Sequence, residues 1–177
     1  MNQLGQVRPD PGPALLALYD DALPQVFGYL LARCGSRAAA EDLTAETFLA
    51  AVRACRGEPP PSPSVGWLIG IARHKLVDHW RAAERERRAL RASAEPEAVS
   101  TVDPWDVELD VLLAHEVLAA QTPIHRAALT LRYLDGLDVP TVAGHLGRTV
   151  HATEALLVRA RAAFRRDYPC SGEGDRP

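Results

Sequence analysis

The stretch from Leu134 to Arg166, LDGLDVPTVAGHLGRTVHATEALLVRARAAFRR, leaves this chain the least conformational freedom. It holds two short helical patterns separated by one glycine. Asp138 suits the N-cap of the first, and Pro140 fits its first turn, where a missing N–H costs nothing. Gly147 falls just past the helix end, where a positive φ is least costly to glycine. Thr149 suits the N-cap of a second helix, in which Val150, Leu157 and Phe164 recur every seven residues with Thr153 and Ala160 between. That stripe is expected to bury against the first helix. His151, Glu154, Ala155, Val158 and Arg159 lie opposite it. A helix-turn-helix with a basic second helix can enter the major groove of DNA. An ordinary helical hairpin inside a bundle fits the same pattern, so the decision rests with the rest of the chain.

Few aromatic residues (6%) and a high alanine content favour helices over sheets, and 47% apolar residues suffice for a core. The fold class expected is all-α. No apolar run is long enough to span a bilayer and no signal-peptide pattern opens the chain, which points to a cytoplasmic protein without membrane insertion. Cys34, Cys55 and Cys170 are far apart and odd in number, as reduced thiols would be. A net charge of −3 argues against indiscriminate nucleic-acid binding, but its distribution is uneven. Residues 71–92 carry seven Lys or Arg against three acids, residues 148–166 carry five Arg against Glu154, and residues 93–110 carry six acids and no Lys or Arg. Two basic helices separated by an acidic spacer suit two DNA-facing surfaces.

Residues 1–12 lack periodicity and read as a disordered tail. Leu15, Tyr19, Leu23, Val26, Phe27, Leu30 and Leu31 fit an amphipathic helix that Pro24 bends or restarts. In residues 37–55, Leu43, Thr47, Ala50 and Ala54 share one face, while Asp42 and Glu46 project together from the surface. Taken locally, these two carboxylates read as an ordinary solvated acidic face. The run GEPPPSPS at 57–64 must be an extended surface loop. Beyond it, Ile69, Ala72, Leu76 and Trp80 form a buried stripe, with His74, Asp78, Arg81, Arg85 and Arg88 on a polar one. Residues 93–104 are acidic, polar and without periodicity, as a linker is. Asp106 suits the cap of a helix through Val107, Leu109, Leu112, Leu113 and Val117. Thr122-Pro123 opens another, in which Ile124, Ala128, Leu131 and Leu134 align. Residues 169–177 read as a second disordered tail.

Three motifs in this order, AEDLTAETF at 40–48, WLIGIARHKLVDHWR at 67–81 and LRYLDGL…VAGHLGRTVHATEALLVRARAAFRR at 131–166, give the chain its resemblance to an extracytoplasmic-function (ECF) sigma factor of bacterial RNA polymerase. The resemblance implies two small helical domains joined by a flexible acidic linker: sigma region 2 at 13–92, the linker at 93–106 and sigma region 4 at 107–168. It implies that Asp42 and Glu46 face the clamp helices of the largest subunit of core RNA polymerase, replacing the local reading of a merely solvated face. Ala45 stands where the family usually has Gln, which removes one polar contact. The loop at 57–66 matches the segment that captures a flipped base of the −10 element. Arg73, His74, Lys75, Asp78 and Arg81 match the segment that engages the −10 non-template strand during melting, with His74 where Asn is common. Arg148, Thr149, His151, Thr153, Ala155, Val158 and Arg159 match the DNA-facing positions of the −35 reader. Lys or Arg is common at the positions of Glu154 and Leu156, so weaker phosphate contacts and an altered −35 preference are expected.

The function implied is that of a sigma factor that brings core polymerase to promoter DNA, with no catalytic residue and no cofactor. Members of the group are commonly restrained by an anti-sigma factor, which the sequence neither names nor requires. Two other classes of function fit parts of the sequence. One is a stand-alone helix-turn-helix transcriptional regulator. The other is a helical metal enzyme using His74, Asp78 and His79, which lacks the second ligand cluster a metal site needs.

Overall fold

The structure, a computed structural model, describes residues 11–91 and 111–168. Among these residues every regular element is helical, in line with the all-α expectation. The chain divides into two compact units, Met1–Leu76 and Val77–Pro177, and the division falls within a long helix. The expected linker at 93–106, the Asp106 cap, Cys170 and the C-terminal tail from 169 lie outside the described residues.

In the first unit, α1 (Pro11–Cys34) and α2 (Arg37–Cys55) form a hairpin. α1 begins inside the stretch expected to be tail, and it continues past Pro24 without a break in the helix. Pro24 is exposed, so water can serve the backbone carbonyl that its ring leaves unbonded. Gly35 turns the chain at φ 67°, and the Ser36 side chain accepts from the Ala39 N–H to start α2. Leu15, Ala22, Val26, Leu30 and Cys34 of α1 are buried, as are Ala40, Leu43, Thr44, Thr47, Ala51 and Cys55 of α2. The two threonines reach the interior because each hydroxyl donates four residues back, Thr44 to the Ala40 carbonyl at 2.6 Å and Thr47 to the Leu43 carbonyl at 2.7 Å. Ala54, on the same predicted face as the buried Leu43 and Thr47, is exposed.

α3 (Val65–Arg91) follows the proline-rich loop. Its first half buries Leu68, Ala72 and Leu76, and Ile69 of the expected stripe is half-buried. Its second half, in the other unit, buries Val77, Trp80 and Glu84.

The second unit continues with α4 (Val111–Ala120), α5 (Pro123–Leu129), α6 (Val139–Leu146) and α7 (Val150–Asp167). Val117, Leu118, Leu129, Ala160 and Phe164 make a core, with Leu113, Ala114 and Tyr168 packed against it. The Thr122 cap and the proline at the start of α5 are as the sequence predicts. The helix does not continue regularly. Residues Thr130–Leu134 form a π-helical turn, in which the Asp135 N–H reaches the Thr130 carbonyl at 2.9 Å. The wider turn shifts the register and leaves Tyr133 and Leu134 exposed, so Leu134 does not complete its predicted stripe.

Candidate docking and nucleic-acid interfaces

The helix-turn-helix is built by three local features legible in the sequence. The Asp138 carboxylate accepts from the Thr141 N–H at 2.9 Å, and the Thr141 side chain first, with this N–H second, holds its carboxyl below the usual carboxylate range. Gly147 adopts φ 61°, and the Arg148 N–H closes back onto the Ala143 carbonyl at 3.0 Å. Thr149 accepts from the Ala152 N–H at 3.2 Å and starts α7. These turns fix which residues of α7 meet solvent.

His151, Glu154, Val158 and Arg159 are exposed on α7, Thr149 is exposed at its cap, and Arg148 and Ala155 are half-buried. Thr153 is a correction to the predicted DNA-facing set. It is fully buried, and its hydroxyl donates to the Thr149 carbonyl at 2.9 Å, so it cannot present a donor to a base edge. Leu156 is only 3% exposed. It is a core residue, and its apolar character reflects packing rather than a lost phosphate contact. Val150, predicted to be buried, is exposed at the first turn. Behind this face, burial first and the Arg159 guanidinium second push the His125 imidazole below its usual range, which favours the neutral ring.

On α3, His74 and Asp78 are exposed, while Arg73, Lys75 and Arg81 are half-buried. Not all of the basic stripe is available to an anion. Glu84, which nothing in the sequence reading singled out, accepts two hydrogen bonds from Arg87 at 2.8 and 2.9 Å and one from Arg88 at 2.8 Å. Burial raises the Glu84 carboxyl, but the hydrogen bonds from Arg87 and Arg88 outweigh it and hold the group below its ordinary range. The signal was present, since Glu with Arg three and four residues on is a standard helical ion-pair spacing. Asp78 sits 3.8 Å from Arg81, a loose contact between exposed groups.

On α2, Asp42 and Glu46 are both exposed. Lys75 of α3 reaches Glu46 with its ammonium 3.1 Å from a carboxylate oxygen, bringing together a residue predicted to touch DNA and one predicted to touch polymerase. Beside them lies an apolar groove of about 520 Å³ between α1 and α2, lined by Leu16, Tyr19, Phe48, Leu49 and Val52 among others. Leu16 is 76% exposed and Leu49 56%, so apolar surface is open to a partner next to the two carboxylates. The groove is not legible in the helical periodicity, which puts Tyr19 among the apolar positions of α1 and leaves Leu16 and Leu49 out.

Among the described residues, no group of three or more His, Cys, Asp or Glu side chains is placed to hold a metal ion. No helix among them is long and apolar enough to cross a membrane.

Residues 18–86, from α1 to α3, match the family "Sigma-70 region 2". The chain is 31% identical to the ECF RNA polymerase sigma factor BldN of Streptomyces coelicolor over 86% of its own length and 59% of BldN. It is 32% identical to the ECF RNA polymerase sigma factor SigL of Mycobacterium tuberculosis over 84% of its own length and 85% of SigL. It thus spans less than two thirds of the first relative and most of the second. In fold it is similar to the sigma factor RpoE of Bartonella quintana, solved in complex with the anti-sigma factor NepR, with a TM-score of 0.53 at 18% identity over 90% of this chain and 99% of that one. The shared length and identity with SigL, on an all-helical fold ending in a helix-turn-helix, place the chain: it belongs to the ECF RNA polymerase sigma factors.

Proposed function

We propose that this chain is a promoter-specificity subunit that works by three surfaces. The α2 face bearing Asp42 and Glu46, with the adjoining apolar groove, docks on the clamp helices of core RNA polymerase. Arg73, His74, Lys75, Asp78 and Arg81 of α3 engage the non-template strand of the −10 element, and binding energy to unstacked bases drives melting without hydrolysis. Arg148, Thr149, His151, Ala155, Val158 and Arg159 read the −35 element from the major groove. The chain divides functionally into 13–92 and 107–168, tethered by the acidic segment at 93–106. Tethering turns the second contact into an intramolecular one, so two weak readouts act as one strong one. The protein acts in the cytoplasm, where its polymerase is. An inhibitory anti-sigma partner, like the NepR bound to RpoE, belongs to the same proposal.

The observation that carries this reading is the outer face of α7, where His151, Val158 and Arg159 are open on a helix held by its cap and turn. Glu154 on that face repels phosphate but can accept from the amino group of cytosine, which suits a −35 sequence unlike that read by a basic residue. The test is to reconstitute the chain with core polymerase on genomic DNA and sequence the 5′ ends of the transcripts. Discrete start sites sharing −10 and −35 sequences are expected, and Arg159→Ala should relax the preference at one −35 position. Unaltered promoter choice by Arg159→Ala would remove α7 as the reading helix.

A further inference from the structure

We propose that the Glu46–Lys75 ion pair is a latch that makes polymerase docking and DNA engagement help each other. The proposal rests on the functional reading above, which gives Glu46 to polymerase and Lys75 to the −10 strand. In the chain alone the two groups satisfy one another across α2 and α3, at 3.1 Å. A cationic partner arriving at Glu46 competes with Lys75, and a phosphate arriving at Lys75 competes with Glu46. Each ligand that breaks the pair removes the cost of breaking it for the other. The coupling is therefore positive and must be equal in both directions.

The geometry keeps the latch weak enough to open. The side chains of Lys75 and Glu46 are 33% and 55% exposed, and a single Nζ–carboxylate contact joins them. Pairs of that kind are worth at most about 1 kcal/mol, or about fivefold in a binding constant. Asp42 supplies an internal control. It lies one turn before Glu46 on the same exposed face and makes no ion pair among the described residues. Only one of the two docking carboxylates is latched.

The experiment is a cycle of full-length variants binding core RNA polymerase without DNA at low salt. Lys75→Gln should tighten binding up to about fivefold, because Glu46 no longer has to leave its partner. The gain should persist in an Asp42→Asn background and vanish in a Glu46→Gln background. Reciprocally, Glu46→Gln should raise the affinity of the free chain for a single-stranded oligonucleotide, and Lys75→Gln should cancel that rise. An equal gain with and without Glu46 would mark a general charge effect and overturn the latch, as would no gain at all. If Glu46→Gln leaves polymerase affinity unchanged, Glu46 is not in the interface and the latch is overturned while the sigma reading stands. If the unaltered chain fails to bind core polymerase, both fall. Unchanged thermal melting of each variant would show that the fold is intact.

Discussion

Replacing Leu156 with arginine distinguishes a core position on α7 from a phosphate contact. The side chain is 3% exposed and shares the buried side of the helix with Thr153, Leu157, Ala160 and Phe164. Truncating such a leucine to alanine costs about 2–5 kcal/mol, from lost transfer energy and an unfilled cavity. Arginine must in addition extend its guanidinium out of the core or leave it desolvated, so about 3 kcal/mol is a lower bound for Leu156→Arg. A small helical unit holds only about 5 kcal/mol in total, so most of its margin would go. Amide hydrogen exchange of the full chain reads this locally. Protected amides of α6 and α7 should exchange about 100-fold faster, the equivalent of about 3 kcal/mol. Affinity for promoter DNA should fall with the loss of structure. Unchanged protection, together with tighter DNA binding and a salt dependence steeper by about one counterion, would refute the burial of Leu156 and the register assigned to α7.

Other perturbations have equally definite outcomes. Thr149→Ala should destabilise the helix-turn-helix by about 1 kcal/mol through loss of the cap, measured by thermal melting, and Thr149→Ser should restore it. Glu154→Lys should leave melting unchanged and steepen the salt dependence of DNA binding by about one unit, since an exposed acid becomes a phosphate partner. Stability should decline with acidity in two steps. His125 is depressed when folded, so its contribution is lost as pH falls from its ordinary 6.5 toward the folded value. Glu84 is also depressed, so its contribution is complete above its ordinary 4.5 and is lost as pH falls below that. In a pH series of melting temperatures, Glu84→Gln should shrink the lower step, to which Asp138 also contributes, and should not reduce the upper one, because the Glu84 charge opposes the depression of His125.

Local chemistry was the legible part of this chain. The caps at Thr122, Asp138 and Thr149 and the left-handed turn at Gly147 each follow from one residue's preference, and each is present. What depends on register was harder. A seven-residue repeat drifts about 20° per repeat on a straight helix, so the stripe drawn through Val150, Leu157 and Phe164 slips at its start. Val150 is exposed, and Leu156 joins Leu157 in the core. The π turn at Thr130–Leu134 widens one turn of the backbone and no side chain announces it. Residues far apart in sequence were the least legible. Lys75 and Glu46 sit on different helices, α3 and α2, and no spacing rule within one helix connects them. Thr153 is a different case: the stripe on its own helix placed it on the buried side, as found, and only the DNA-facing set implied by the resemblance loses it.

The most direct measurement is equilibrium binding of the purified chain to bacterial core RNA polymerase, beside a variant carrying Asp42→Lys and Glu46→Lys. Saturable binding by the unaltered chain, lost in a charge-reversed variant that still melts normally, is the expected result. Equal binding by both would move the docking surface away from α2, and no binding by either would contradict the role of a promoter-specificity subunit.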